Sequence, residues 1–278
     1  MKLSSLAANK LTGCATTRDG TQLAYKLHTQ GHLRRRVALV HSLALNSAFW
    51  TPVVEQLIPH ADVLVFDCRG HGASGKPAGP YSVELFADDL ADLLDHVGWS
   101  SALVAGASMG GSVSLAFAAK YPDRTAALGL IDTTAWYGAD APERWAERST
   151  KAVEEGLPSM VNFQQTRWFG DEFRKNNLSV VDACADTFMK NQIEAYAATC
   201  QMLGAFDLRS ALPRLSMPTA VVVGEDDYAA PVPMARVLHD GIAGSSLKVI
   251  KGARHLTPLE CPELVAEAII QLLDQVTQ

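Results

Sequence analysis

The segment Gly106-Ala107-Ser108-Met109-Gly110 places a hydroxyl group between glycines, after an apolar run and before a helical pattern. A G-x-S-x-G sequence at a strand-to-helix turn can expose its serine as a nucleophile. The glycines suit such a bend because a side chain would obstruct the close approach of the helix to the strand. A plain turn without chemistry is the alternative, so the interpretation depends on whether a base and an acid can reach Ser108.

A serine hydroxyl is a weak nucleophile and needs a general base. Of the eight histidines, His255 follows the last predicted strand and precedes the last predicted helix. It should therefore lie at the same edge of a parallel sheet as Ser108. We interpret five other histidines as surface residues: His28, His32, His60, His96 and His239.

The base needs a carboxylate to orient it. The segment GEDDYAAP follows the penultimate predicted strand and contains the spacing G-x-x-D-x-x-x-P, which selects Asp227. Its neighbour Asp226 is interpreted as a solvent-facing turn residue. Asp132 ends the strand after Ser108 and remains the alternative acid. With Asp227 the acid precedes the histidine along the chain, which is the order expected for a serine on this kind of turn.

A tetrahedral intermediate at the serine would need hydrogen-bond donors for its oxyanion. The backbone N–H of Met109, directly after the nucleophile, is the first candidate. The second should come from the loop after the strand VALVH, which begins His41-Ser42-Leu43, and we nominate the Leu43 N–H. Both assignments rest on position, because a backbone donor leaves the side chain free to vary.

Strands must alternate with helices to bring these loops together. One run of alternating polarity, at 21–27, predicts a hairpin strand, and short apolar runs predict buried strands. The apolar runs lie at 37–41, 63–67, 102–106, 126–132, 219–224 and 247–252. Amphipathic segments such as 83–97 and 263–276 predict helices. The predicted fold class is α/β, with a mostly parallel sheet covered by helices on both faces.

Residues 136–206 break this alternation. The segment has no convincing strand and is rich in helix formers and aromatic residues. We predict a helical cap at 136–206, inserted between two strands of a core made of residues 1–135 and 207–278. A cap of this kind should lie over the carboxyl ends of the strands, where α/β sheets bind ligands. Trp136 directly follows a strand end and is predicted to face the substrate.

Composition excludes several functional classes. The 278 residues carry a formal net charge of −6, and the one basic cluster, RRR at 34–36, is interpreted as a loop edge, so no nucleic-acid partner is expected. Five scattered cysteines without CxxC spacing indicate free thiols. Neither a signal peptide, judged at residues 1–13, nor a membrane span is predicted, so we expect a cytoplasmic protein. No metal or other cofactor is expected, and no oligomeric state is predicted.

Together the motifs resemble those of the α/β-hydrolase superfamily. The segments VHSLALNSAFW, FDCRGHGAS, GASMGG, GEDD…P and GARH…CPE occur in family order and cover nearly the whole chain outside 136–206. The resemblance implies an eight-stranded sheet with a cap after the sixth strand, and serine hydrolase chemistry. It also implies that His71, in the RGHG turn, is architectural. The His41-Ser42 pair departs from the His-Gly of many members.

Residues 166–177 and 193–215 are similar, more narrowly, to the 3-oxoadipate enol-lactonases of aromatic-compound degradation. That resemblance implies a lactone substrate with a free carboxylate, opened through an acyl-enzyme on Ser108. An anionic substrate would need a cation in the cleft, and the arginine candidates are Arg144, Arg148 and Arg167.

Other proteins on this scaffold would keep the same three residues. The alternatives are a carboxylesterase, a hydrolase of vinylogous C–C bonds, and a cofactor-free perhydrolase similar to haloperoxidases. A small-molecule receptor that signals through a partner belongs to a different class. The expectation from the sequence is an enzyme whose partner is a small-molecule lactone or ester.

Overall fold

The computed structural model describes residues 9–31 and 33–276. His32 and part of the N-terminal stretch considered for a signal peptide lie outside the described residues. Within them, eight strands form one sheet. The strands are β1 Asn9–Thr16, β2 Gln22–Thr29, β3 Arg36–Val40, β4 Asp62–Phe66, β5 Ala102–Ala107, β6 Thr125–Ile131, β7 Thr219–Gly224 and β8 Ser246–Ile250.

The sheet has the strand order β1-β2-β4-β3-β5-β6-β7-β8. Strand β2 runs antiparallel to both β1 and β4, and every other neighbouring pair is parallel. The predicted eight-stranded, mostly parallel sheet is confirmed. Because parallel strands end at the same edge, the loops that follow β3, β5, β7 and β8 meet there.

Eleven α-helices lie in the described residues. They are α1 Thr51–Leu57, α2 Val83–His96, α3 Met109–Lys120, α4 Ala141–Glu155, α5 Val161–Trp168, α6 Asp171–Asn176, α7 Leu178–Met189, α8 Ile193–Ala205, α9 Val232–Gly241, α10 Thr257–Glu260 and α11 Pro262–Gln275. Short 3-10 helices occupy Ser47–Trp50, Pro122–Arg124, Leu157–Met160 and Arg209–Arg214. No helix of this described region is long and apolar enough to cross a membrane.

Helices cover the central strands from both sides. Helix α1 packs on α11, α2 packs on α3, and α9 lies against β7 and β8. Strands β5 and β7 are buried along their whole length, which explains why each reads as a continuous apolar run. Ten of the twelve residues of α3 are buried, so the turn that precedes this helix is held on a rigid element.

Helices α4 to α8 follow the sixth strand and precede the seventh, where the sequence predicted a helical insertion. Helix α4 packs along α8. Residues 136–206 contain no strand, and an isolated antiparallel bridge joins Trp136 to Asp207 where the insertion begins and ends. We call residues 136–206 the insertion; its division from the core at these residues stays a prediction.

Candidate active site

The turn at Ser108 is strained and closely packed. Ser108 has φ 56° and ψ −119°, a backbone conformation that L-residues rarely adopt. A Cβ on Gly106 would overlap the Gly110 carbonyl, and a Cβ on Gly110 would overlap the Val40 carbonyl. The Ser108 N–H donates to the Ile131 carbonyl at 2.9 Å. These contacts explain both glycines and fix the serine at the end of β5.

The structure brings His255 to Ser108 across 147 residues of sequence. His255 lies in the loop between β8 and α10, and its Nε2 is 2.8 Å from Ser108 Oγ. Both side chains are buried, with 5% of each residue exposed. The hydroxyl and the imidazole are therefore within hydrogen-bonding distance at a partly enclosed site, as general-base activation requires.

Asp227 completes a row of three hydrogen-bonding side chains with Ser108 and His255. His255 Nδ1 lies 2.8 Å from Asp227 Oδ2, while Asp227 Oδ1 accepts the N–H groups of Ala229 at 2.7 Å and Ala230 at 3.0 Å. Burial favours the protonated acid, but His255 and the two N–H groups outweigh it and hold the pKa of Asp227 below its ordinary value. The carboxylate can then fix the imidazole tautomer. The neighbouring Asp226 is exposed.

Asp132, the alternative acid, is buried but engaged elsewhere. Its Oδ1 accepts the Gly224 N–H at 3.2 Å, and its Oδ2 accepts the N–H and the hydroxyl of Thr257 at 2.9 and 2.7 Å. Burial and the nearby charge of Asp227 raise the pKa of Asp132. Its contacts join the ends of β6 and β7 to the start of α10, which makes it a support for the loops rather than a partner of His255.

Two further buried histidines have structural contacts. His41 Nε2 accepts the Cys68 N–H at 2.9 Å, and its Nδ1 lies 2.8 Å from the Ser42 carbonyl. His71 Nδ1 lies 2.9 Å from the Arg69 carbonyl. The rings of His41 and His71 pack edge to face, with centroids 5.2 Å apart. The four described histidines expected at the surface are exposed or half-buried: His28, His60, His96 and His239.

The two candidate oxyanion donors have free N–H groups. Leu43 lines the same cavity as Ser108, and Met109 is the first residue of α3. Within the described part of the chain, neither backbone N–H donates a hydrogen bond to another group. A helix N-terminus also favours negative charge. Both N–H groups are thus available to a developing oxyanion beside Ser108.

A cavity of about 400 Å³ opens onto Ser108 and His255. The loop after β3 forms one wall, and the insertion contributes most of the others through Tyr137, α4 and α5. Aromatic side chains line part of it, and the Tyr137 ring packs edge to face on Trp145 with centroids 5.3 Å apart. This volume suits a small organic substrate.

The charges around this cavity are strongly biased. The insertion carries ten acidic and seven basic residues, yet four of the basic residues and only one of the acidic ones line the cavity. The four basic residues are Arg144, Arg148, Lys151 and Arg167, and the acidic one is Glu147. The local field therefore favours an anion, although the insertion as a whole is acidic.

Arg148 is the basic residue best prepared to hold a carboxylate. Its Nε donates to the Tyr196 hydroxyl at 2.7 Å, and its guanidinium lies 5.2 Å from the ring centroid of Trp145. Among the described residues, no carboxylate forms an ion pair with this guanidinium, although the Cys200 thiol lies close to it. By contrast, Arg144 Nε is paired with Asp140 at 2.9 Å.

Arg167 is a second cation of the same wall. One terminal nitrogen donates to the Tyr228 carbonyl at 2.8 Å. Burial and, to a smaller extent, the nearby positive charge of Arg148 lower the pKa of Arg167. A bound anion in this cavity would favour the charged form of both arginines.

Trp136 occupies a different place from the one predicted. It is not among the residues that line the cavity; its ring is covered by the Arg209 guanidinium at 3.6 Å, beside the bridge to Asp207. The adjacent Tyr137 faces the cavity instead. The bridge fixes the strand-like alternation here, so neighbouring side chains point in opposite directions.

Sequence reasoning also missed Lys151. A pattern could have found it, because Arg144, Arg148 and Lys151 recur at i, i+4 and i+7 and so share one face of α4.

Within residues 9–31 and 33–276, no group of three or more His, Cys, Asp or Glu side chains could hold a metal ion.

The strand order, the strained serine turn and the loops gathered at one sheet edge are those of an α/β-hydrolase. The Hydrolase_4 family, described as serine aminopeptidase, S33, matches residues 31–262. The chain belongs to this α/β-hydrolase family.

Three known proteins are similar over most of their length. The 3-oxoadipate enol-lactonase 2 of Acinetobacter baylyi is 30% identical over 236 residues, which cover 84% of this chain and 87% of that protein. The crystal structure of the enol-lactonase from Burkholderia xenovorans superposes with a TM-score of 0.90 at 32% identity, covering 94% of this chain and all of the other. A thermophilic esterase from Thermogutta terrifontis, solved with malate bound, has a TM-score of 0.88 at 32% identity and covers 98% of this chain and all of its own.

Proposed function

We propose that this protein is a serine hydrolase that opens the enol-lactone of 3-oxoadipate. The observation that carries the proposal is the Arg148 guanidinium, which pairs with no carboxylate of the described residues, in the same cavity as Ser108 and His255, which form a hydrogen-bonded row with Asp227. A lactone with a free carboxylate needs both features at once: a nucleophile for the carbonyl and a cation for the carboxylate.

The chemistry follows from the contacts. Ser108 Oγ attacks the lactone carbonyl while His255 Nε2 takes its proton, and Asp227 stabilises the resulting imidazolium. The N–H groups of Leu43 and Met109 hold the oxyanion. When the ring C–O bond breaks, His255 returns the proton to the enol oxygen, and the enol tautomerises to the ketone.

Water then completes the reaction. His255 takes a proton from the water molecule that attacks the Ser108 ester, and the second tetrahedral intermediate collapses to release 3-oxoadipate and free serine. No proton is gained or lost by the enzyme over the cycle.

The similar proteins support this substrate class. Two of them are enol-lactonases by name, and the similar esterase carries malate, a dicarboxylate, in its structure. That esterase also favours a second candidate, a carboxylesterase acting on carboxylate-bearing esters. All five cysteines are free, which supports the proposal that the protein acts in the reducing cytoplasm.

The direct experiment mixes the purified protein with 3-oxoadipate enol-lactone and follows the loss of its ultraviolet absorbance. We expect turnover that Ser108→Ala lowers by roughly 10³-fold or more. Ser159→Ala is the matched control, because this exposed serine of the insertion bonds only to the Gly156 carbonyl. Rapid hydrolysis of p-nitrophenyl acetate without lactone opening would favour the carboxylesterase, and equal rates for wild type and Ser108→Ala would reject both.

A further inference from the structure

The loop that carries the Leu43 N–H contains a strained residue. Ala44 has φ 59°, in the left-handed region that L-residues other than Asn and Asp seldom occupy. Within the loop, residues 41–46, the only backbone bond across this bend joins the Leu45 N–H to the Ser42 carbonyl at 3.2 Å. One such hydrogen bond holds a strained alanine only weakly, so packing in the core and contacts from outside the loop must contribute.

The insertion supplies one such contact. Asn191 follows the end of α7, and its Nδ2 donates to the Ala44 carbonyl at 2.8 Å. The same amide donates to the Thr187 and Phe188 carbonyls, both at 3.0 Å, which fixes its position at the helix end. Of the hydrogen bonds found in the described chain, this is the one that joins the insertion to residues 41–46.

Ala44 is completely buried, so water does not reach its carbonyl to replace the amide. Without Asn191 the buried carbonyl would lose a hydrogen bond, and the loop would lose a contact that helps to hold Ala44 at φ 59°. Leu43 directly precedes Ala44, so relaxation of Ala44 would shift the backbone that carries the Leu43 N–H in the cavity shared with Ser108.

We propose that Asn191 is a positioning residue: it holds Ala44 in its strained conformation and thereby aims the Leu43 N–H at the oxyanion. The inference rests on the proposed serine hydrolase function and goes beyond it, because it makes the insertion part of the oxyanion site and not only a wall of the substrate cavity. Residues on α4 and α5 bind the substrate, and Asn191 after α7 supports the transition state.

The expected signature is a loss of kcat without a change in KM, since the oxyanion forms only in the transition state. Removing one oxyanion donor outright costs about 10²–10³-fold in kcat. Misaligning one should cost less, and we expect Asn191→Ala to lower kcat about tenfold or more while KM stays within twofold. Asn191→Asp should behave alike, because it keeps the shape and removes the donor.

The matched control is Asn177→Ala. Asn177 is also an insertion asparagine at a helix end, and its Nδ2 donates to the Phe173 carbonyl at 3.3 Å, within the insertion. Loss of that bond affects local stability only, so kcat should equal that of wild type. Melting temperatures of the three variants identify any that fail to fold. If Asn191→Ala does not fold, the comparison is made with Asn191→Asp.

A second readout separates the oxyanion role from a structural one. Phenylboronic acid forms a tetrahedral adduct with a reactive serine, whereas the hydrolysis product binds without a tetrahedral centre. We expect Asn191→Ala to weaken the binding of phenylboronic acid by the same factor as kcat falls, and to leave the affinity for the product unchanged. A kcat within twofold of wild type for the two Asn191 variants, or equal weakening of both ligands, would overturn the proposal.

The results that would reject the proposed function differ from those that would reject the role of Asn191 alone. A wild-type protein that hydrolyses neither the enol-lactone nor p-nitrophenyl acetate would reject the hydrolase and the inference together. An active wild type with unaffected Asn191 variants would reject the inference alone.

Discussion

Replacing Arg148 by methionine should remove the recognition of the substrate carboxylate while leaving the wall of the cavity filled. The Arg148 guanidinium now lies 5.2 Å from the ring centroid of Trp145 and 5.9 Å from that of Tyr196, and the unbranched methionine side chain can fill the space beside both rings. What is lost is the guanidinium, including the Nε–H bond to the Tyr196 hydroxyl. No carboxylate of the described structure pairs with this group, so its charge is available to a ligand.

The magnitude follows from the type of contact. A hydrogen bond to a charged group is worth about 1.5–3 kcal/mol, which corresponds to roughly 10- to 150-fold in kcat/KM. We expect Arg148→Met to lower kcat/KM for the enol-lactone within that range. Hydrolysis of p-nitrophenyl acetate, which has no carboxylate, should fall less than about fivefold. Arg148→Lys keeps the charge but loses the fork, so it should lie between wild type and Arg148→Met.

The assay compares both substrates in each variant, with Arg174→Met as the matched control. Arg174 is also an arginine of the insertion, but it pairs with Asp171 at 2.7 Å and does not line the cavity. The reasoning is wrong if Arg148→Met lowers the rates for both substrates equally, since that pattern indicates damage to the cavity and not loss of a carboxylate contact.

Further predictions concern the acid, the buried histidine and a buried ion pair. Asp227→Asn should lower kcat about 10³–10⁴-fold, because the asparagine would hold the wrong imidazole tautomer. Asp132→Asn should keep kcat within about tenfold and mainly lower the melting temperature. Equal losses of kcat in the two variants would reject the assignment of the acid. Burial lowers the pKa of His71 from 6.5 to about 3, so the unfolded chain takes up the proton first as pH falls. The free energy of unfolding should therefore decrease below pH 6.5 by up to about 1.4 kcal/mol per pH unit. In urea titrations at several pH values, the free energy of unfolding of His71→Asn should depend less steeply on pH. Arg69, which is 2% exposed, donates to Asp89 at 2.6 Å and also pairs with the exposed Asp19 at 2.9 Å. Asp89→Ala should lower the free energy of unfolding by about 1.5–3 kcal/mol in urea, because Arg69 loses its buried partner and keeps the exposed one. A loss below about 1 kcal/mol would contradict this.

Local patterns were sufficient to predict the sheet and the loops that carry Ser108, Asp227 and His255. Each of these residues follows a short apolar run, and parallel strands necessarily end at one edge. The outer strand β1 was not predicted as a run of its own, because most of its residues are exposed and carry no apolar alternation. Its pairing with β2 comes from the hairpin register, which a polar sequence does not reveal.

The parts of the site that depend on long-range contacts were beyond the sequence. The choice between Trp136 and Tyr137 depends on a bridge to Asp207, which lies 71 residues away along the chain. The contact of Asn191 with Ala44 spans 147 residues and leaves no pattern in either segment. The basic face of α4 was visible as a periodicity, but only the fold shows that this face turns toward Ser108.

The central claim is that Ser108 is the nucleophile activated by His255, and covalent labelling tests it most directly. A fluorophosphonate reacts with an activated serine hydroxyl, and mass spectrometry locates the modified residue. We predict one label per chain, on Ser108, with loss of lactone opening in step with labelling and slow labelling of His255→Ala. Hydrolysis that continues after Ser108 is fully labelled, or labelling of a different serine that abolishes activity, would contradict the account.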